Sequence, residues 1–351
     1  MNAIEHSFPL VTVGIVVLNR EWIIGKMLAS LQDQTYPHDR IHVVVVDGGS
    51  RDCTVKVTEQ LLSRSNFSGY EIIVQQSNIP EARNLCISKM RGDFMLFWDS
   101  DVIAPASALS DLVAVAQREG AAITSPSFTE FVVDSANKID AMLKLLCYNH
   151  DDKTELAKVC RMGFTLISQK VFNAVTFDPD LTVLEDCDFT LRARAKGFTA
   201  IAYLGVVVFD ANVANQPFAD VYGIDVPLRD ALRGVRKRTR IQALMISENS
   251  RQTHRYVMTS FFLRNVRYLL YMGYVPATIV SIIGLTLMNL ILMLAFPAYF
   301  LCFLAMQIAR QGAKRGAKAA VRSLLVGVPT AFALLYYGLY FSIKPTVNPF
   351  Q

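Results

Sequence analysis

The chain has 351 residues, 52% of them hydrophobic, and a formal net charge of +5. A mean hydropathy of +0.30 excludes an ordinary soluble domain and places part of the chain in lipid. Six scattered cysteines without a Cys-x-x-Cys pair exclude a disulfide framework and a structural zinc site, and fit a reducing compartment.

Met1 to Pro9 contains no long apolar stretch, so no signal peptide is expected. Residues 10–18 (LVTVGIVVL) read as a buried strand ending at Asn19, followed by a helical pattern over Glu21–Gln34. A second buried strand, IHVVVVD at 41–47, ends in Asp47-Gly48-Gly49-Ser50 and leads into a helix from Asp52 to Arg64. A strand over 70–75 follows; Pro80 then sits in the first turn of a helix carrying Arg83 and Asn84. FMLFW at 94–98 is a third strand, and Ala104-Pro105 opens the next helix. Strands alternating with helices predict an α/β fold whose mostly parallel sheet is covered on both faces. Ligands bind such sheets at the carboxyl ends of the strands. Sequence order alone therefore predicts that Asn19, Asp47, Asp99 and Asp101 converge.

Asp99-Ser100-Asp101 carries the chemistry. Two carboxylates at i and i+2 after a buried strand can hold one divalent cation, and oxygen ligands suit Mn²⁺ or Mg²⁺. An isolated Asp-x-Asp is more often a turn or a cap; between FMLFW and a helix start it reads as a cation site. Asp47 with its glycines reads either as a nucleotide-binding loop or as a plain strand-turn-helix. Arg83 at a helix start is a candidate phosphate or nucleotide contact. Glu185-Asp186-Cys187-Asp188 opens a further helix, where a carboxylate is held as the anion and can act as general base.

In this order and spacing, VTVGIVVLNRE, VVVVDGGSRDCT, EARN, FWDSD and LEDCDFTLRARAKGF resemble the family 2 glycosyltransferases of the GT-A fold, over residues 10–210. The resemblance implies an inverting, metal-dependent transfer from a nucleoside-diphosphate sugar. It assigns donor ribose and metal contacts to Asp99 and Asp101, nucleotide contacts to Asp47 and Arg83, and the catalytic base to Asp186; Asn19, at the end of the first strand, is a further candidate donor contact. Gly48 stands where many members carry a second acid. Asp210, in VVVFD, stands where many carry a histidine, which makes it a further metal candidate. Gln216-Pro217-Phe218-Ala219-Asp220 lacks the Arg-Trp of processive synthases, so transfer of one sugar is expected. Likeness to dolichyl- and polyprenyl-phosphate mannose synthases favours mannose from GDP-mannose, with a lipid-linked or membrane-proximal glycan as acceptor. Such a phosphate synthase is itself the nearest alternative; an inactive nucleotide- or lipid-binding scaffold and a nucleotidyltransferase are alternatives of other classes.

The rest of the chain points to a membrane. Ten Lys/Arg lie between Arg229 and Arg267, and a second basic cluster runs from Arg310 to Arg322, both beside apolar stretches. That placement suits anionic lipid, not nucleic acid. Residues 275–308 contain no charged side chain; as one straight helix they would span about 51 Å against a hydrocarbon core of about 30 Å. One long tilted helix or a hairpin turning near Ala295–Pro297 would fit; basic clusters on both sides, each expected in the cytoplasm, favour the hairpin, with Leu324–Ile343 as a third crossing and the catalytic domain cytoplasmic. The predicted organisation is a catalytic domain over 1–228, basic interfacial helices over 229–274, and a multi-pass transmembrane domain over 275–351.

Overall fold

A computed structural model describes residues 8–133, 152–181, 184–213, 240–241, 274–287, 290–322, 324–325 and 336. The chain divides into two compact units, residues 1–179 with 185–216 and residues 180–184 with 217–351.

The first unit is built on a nine-stranded sheet. Its strands are β1 (Val11–Val17), β2 (Ile41–Asp47), β3 (Gly69–Val74), β4 (Phe94–Trp98), β5 (Val102–Ile103), β6 (Ile123–Val133), β7 (Thr154–Leu156), β8 (Phe164–Ser168) and β9 (Ala200–Val213). The order is β3-β2-β1-β4-β8-β6-β9-β5, with β7 also on β9. Strands β1 to β4 pair in parallel. β8 runs antiparallel between β4 and β6, and β6 pairs in parallel with β9. Two antiparallel steps restore the direction, so the carboxyl ends of β1, β2, β4 and β9 share one edge.

The helices are α1 (Ile24–Gln32), α2 (Thr54–Leu62), α3 (Ile79–Ser88), α4 (Ala108–Glu119), the short α5 (Gln169–Phe172) and α6 (Glu185–Ala195). Period-two alternation sends Val43 and Val45 into one core, with Met27, Leu31, Leu62 and Leu112. It sends Val44 and Val46 into the other, with Ala82, Cys86, Phe97 and Phe189. A sheet buried on both faces needs near-continuous apolar strands, and IHVVVVD is one.

In the second unit, α7 (Tyr274–Thr286), α8 (Leu290–Met293), α9 (Ala295–Gln311) and α10 (Ala313–Arg322) follow one another. Ser281 Oγ donates to the Met293 carbonyl at 3.0 Å and accepts from the Phe296 N–H at 2.9 Å. A Cβ on Gly284 would come within 2.5 Å of Met293 N. Residues 281 and 284 thus face 296 and 293, so α7 and the start of α9 run antiparallel. The expected turn at Ala295–Pro297 is corrected. Pro297 lies in the first turn of α9, where no N–H is needed, and the free N–H of Phe296 is met by Ser281.

Among the described residues, one helical stretch is long and apolar enough to cross a membrane: Leu290–Ala309, 20 residues with mean hydropathy 2.1. The apolar helix beside it, Pro276–Thr286, is shorter than a crossing needs. The described residues therefore carry one candidate span where three crossings are expected. Nearly all of the expected third crossing, Leu324–Ile343, and of the basic stretch 229–274 lies outside the described residues.

Candidate active site

The loop between β4 and β5 is held from three sides. Asp99 N–H donates to the Gly163 carbonyl at 2.8 Å, and Val102 N–H donates to the Asp99 carbonyl at 3.1 Å. The Trp98 indole N–H reaches the Val102 carbonyl at 2.8 Å, and Ala211 N–H donates to the Asp101 carbonyl at 3.0 Å. β5 pairs with β9 so that Val102 opposes Asp210. This register brings Asp210 to the same corner as Asp99 and Asp101, although 109 positions separate Asp210 from Asp101 in the chain.

Each carboxylate of this corner faces an arginine. Asp99 Oδ1 lies 3.2 Å from Arg83, Asp101 Oδ2 lies 3.4 Å from Arg20, and Asp210 Oδ2 lies 3.1 Å from Arg161. The Arg161 guanidinium also sits over the Phe128 ring, 4.8 Å from its centroid. Burial, joined by the charges of Asp99 and Asp210 and opposed by Arg20, pushes the Asp101 carboxyl up to about 7. Clustered negative potential of this kind is relieved by a cation, and an all-oxygen donor set suits Mn²⁺ or Mg²⁺. Asp99 and Asp101 thus fit a divalent ion. Among the described residues no three His, Cys, Asp or Glu side chains form a complete ligand set, so a bound ligand or water would complete the shell.

The first two loops lock together. Asp47 is fully buried. Its Oδ1 accepts from the N–H groups of Gly49 and Ser50 at 2.9 and 2.6 Å, and its Oδ2 accepts from Ser50 Oγ at 2.6 Å. Asn19, in the left-handed region at φ 52°, accepts from Arg51 N–H at 2.9 Å through Oδ1; its own N–H donates to Ser50 Oγ at 2.7 Å. Both side chains shape the 47–52 loop. Asp47 offers no exposed acceptor.

The segment Glu81-Ala82-Arg83-Asn84 has one task per residue. Glu81 and Asn78 form a reciprocal capping box at the start of α3, and Ala82 packs in the core. Asn84 grips the backbone of Phe177 twice, donating to its carbonyl at 2.8 Å and accepting from its N–H at 2.9 Å. Arg83, 4% exposed, donates through Nη1 to Glu185 Oε1 at 2.7 Å and through Nη2 to Asp99 Oδ1 at 3.2 Å. Phe97 and Phe177 lie near its guanidinium, at 5.9 and 5.5 Å. Arg83 is therefore a buried bridge between two acids.

Asp186 follows Glu185 in the first turn of α6, with Asp188 completing the acidic turn. The positive end of the helix favours carboxylates there. Asp186 is half-buried, and its Oδ1 accepts from Cys187 N–H at 2.7 Å. Burial raises the Glu185 carboxyl; Arg83 counters this and Asp186 adds to it. Asp188 pairs instead with Arg192 along the helix, at 2.7 Å from Nε.

The sequence reading missed Arg20, Arg161, Glu185 as a partner of Arg83, and Gly163. Arg20 follows Asn19 directly and was within reach of a loop argument. Arg161 and Gly163 have no motif, and only the antiparallel insertion of β8 brings them here.

Residues 12–176 match the family Glycosyl transferase family 2. Among curated relatives, poly(ribitol-phosphate) beta-N-acetylglucosaminyltransferase TarS of Staphylococcus aureus is 30% identical over 103 residues, covering 29% of this chain and 18% of that protein. Glycosyltransferase AglE of Haloferax volcanii is 34% identical over 97 residues, covering 27% of this chain and 31% of that protein. The matched parts are thus less than a third of these relatives' lengths. The crystal structure of S. aureus TarS 1-349 in complex with UDP-GlcNAc superposes with a TM-score of 0.52 at 17% identity, covering 90% of this chain and 91% of that one. The first unit has the GT-A fold, and the likeness to the glycosyl transferase family 2 extends over residues 12–176.

Proposed function

We propose that this chain is an inverting glycosyltransferase that moves one hexose from a nucleoside-diphosphate sugar to a hydroxyl of a lipid-linked or membrane-proximal glycan. The observation that carries this reading is the corner where Asp99 and Asp101 end β4 while Arg83 ties Asp99 to Glu185, the neighbour of Asp186. One site then holds a place for the donor diphosphate and a carboxylate for the acceptor proton.

In the reaction, the acceptor oxygen attacks the anomeric carbon as the bond from that carbon to the diphosphate oxygen breaks. Asp186 accepts the hydroxyl proton and the nucleoside diphosphate departs with the bonding electron pair. Asp99 and Asp101 would hold Mn²⁺ or Mg²⁺, and the ion would supply Lewis-acid neutralisation of the leaving charge. Asn19 and Asp47 set the loop that lines the nucleotide side.

Mannose from GDP-mannose is the preference drawn from the sequence resemblance. The relatives support another donor: one is named an N-acetylglucosaminyltransferase, and its solved structure contains UDP-GlcNAc. The donor read here is accordingly a UDP-hexose or UDP-N-acetylhexosamine, with GDP-mannose the competitor. The apolar stretch Leu290–Ala309 supports attachment to a membrane, with the catalytic unit on the cytoplasmic side, where nucleotide sugars are made.

The deciding experiment is transfer by detergent-solubilised full chain from UDP-GlcNAc, UDP-glucose and GDP-mannose to a lipid extract, with and without Mn²⁺. Metal-dependent transfer from one UDP donor is expected. A folded protein that binds none of these nucleotides would overturn the reading in favour of an inactive scaffold.

A further inference from the structure

We propose that Arg83 is a positioning residue that couples the donor half of the site to the base helix through Glu185, and that it does not read the nucleotide. The inference deepens the reading above and rests on it.

Three observations carry it. The first is engagement: Nη1 of Arg83 donates to Glu185 Oε1 and Nη2 to Asp99 Oδ1, and the side chain keeps only 5% exposure. The second is enclosure. Phe97 and Phe177 approach the guanidinium, and Arg83 Nε is buried without a hydrogen-bond partner among the described residues. A phosphate or a base has no open approach to a group so enclosed. The third is connection. Asp99 begins the metal-binding pair at the end of β4, and Glu185 directly precedes Asp186 in α6. Asn84, the next residue along α3, fixes the backbone of Phe177 upstream of that helix. The first half of α3 therefore holds β4, the 177 segment and α6 in one frame.

This frame has a chemical purpose. A displacement that needs a general base on one side of the anomeric carbon and a charge-neutralising site on the other depends on their separation, and a misplacement of about 1 Å costs about 100-fold in rate. A guanidinium has rigid fork geometry and can span two carboxylates; an ammonium is a point charge on a flexible stem. Asp99 Oδ1 is committed to Arg83 while the side chain retains 37% exposure, so the geometry assigns its other oxygen to the ligand.

The test uses the full chain with Arg83→Lys, Glu185→Gln and the double variant. The readouts are UDP and GDP affinity in Mn²⁺ by titration, and transfer kinetics with the donor found above. Glu185→Gln keeps the shape and one acceptor oxygen, so it serves if Arg83→Lys fails to fold. The expected result is nucleotide affinity within about threefold of wild type, kcat lower by about 100-fold, and a double variant no worse than the poorer single one. Loss of nucleotide affinity in step with the loss of rate would overturn the proposal, making Arg83 a nucleotide contact. So would unchanged kcat, or losses that multiply in the double variant. If the wild-type chain neither binds nucleotide nor transfers sugar, the glycosyltransferase reading falls first and this inference with it; a working wild type with unaffected variants removes the inference alone.

Discussion

Asp99 donates its N–H to the carbonyl of Gly163 at 2.8 Å, and a Cβ on Gly163 would lie 3.3 Å from Asp99 Oδ2 and 3.1 Å from the Phe128 ring. The glycine is what lets the β4 carboxylate and the approach to β8 share one corner. Gly163→Ala is expected to move Asp99 or Phe128 by a few tenths of an ångström. Transfer should fall by about 10-fold or more while unfolding free energy changes by only about 1–2 kcal/mol, an overpacking cost. Transfer kinetics beside a urea melt checks this; unchanged kcat would show that the corner tolerates the methyl group.

Asp186 is assigned the acceptor proton. Asp186→Asn keeps the shape of the side chain and removes its basicity. Turnover is expected to drop by about 10²–10⁴-fold, with nucleoside diphosphate affinity close to wild type. Single-turnover transfer and a nucleotide titration separate the two quantities. Near-normal turnover would move the base role elsewhere.

Gly92 adopts φ +87°, and a Cβ there would sit 2.3 Å from the Leu10 carbonyl oxygen. Gly120 adopts φ +62° with nothing within 4 Å of its would-be Cβ. Gly120→Ala should cost about 1 kcal/mol, from conformation alone. Gly92→Ala adds a backbone collision and should cost clearly more, about 3 kcal/mol or above. Chemical denaturation of the two variants side by side tests the ordering, and equal costs would refute the collision.

His42 is buried in β2, with Nε2 3.7 Å from Glu71. Burial lowers its pKa and Arg91 lowers it further, while Glu71 opposes both. The unfolded chain thus takes up a proton at higher pH than the folded one. The contribution of neutral His42 is fully present above about pH 6.5 and is lost as pH falls below it. His42→Asn should flatten the decline of stability between pH 7 and 5. Melts at several pH values check this, and an unaltered slope in the variant would assign the acid sensitivity elsewhere.

Leu301 is 61% exposed on α9, inside the apolar stretch Leu290–Ala309. An arginine near the centre of a membrane helix costs about 2.5–3.5 kcal/mol by insertion scales. Leu301→Arg should therefore shift the chain from the membrane pellet toward the soluble or aggregated fraction. Equal sedimentation of wild type and variant with membranes would leave this helix no role in attachment.

Much of the first unit was legible in the sequence, because its strongest signals are local. LVTVGIVVL, IHVVVVD and FMLFW are apolar beyond what a half-exposed strand needs, and the strands at 41–47 and 94–98 run over the expected residues. The turn and helix signals at Asp52 and Pro80 mark starts within two residues of the observed helices. The gathering of Asn19, Asp47, Asp99 and Asp101 at one sheet edge followed from chain direction in a parallel sheet. The hairpin turn in the apolar segment was misread because Pro297 marks the first turn of α9 as readily as it marks a break.

What the sequence by itself determined was which residues are strands, which carboxylates end them, and that an apolar segment follows. Tertiary structure alone decided the partners. Arg83 and Glu185 are far apart in the chain, Val102 opposes Asp210 only through the β5–β9 register, and Gly163 reaches Asp99 only because β8 inserts antiparallel beside β4. Local propensity and periodicity depend on neighbours a few residues away and can be read along a string. Pairing between distant segments depends on the packing of both faces of the sheet at once, and no single stretch of sequence contains it.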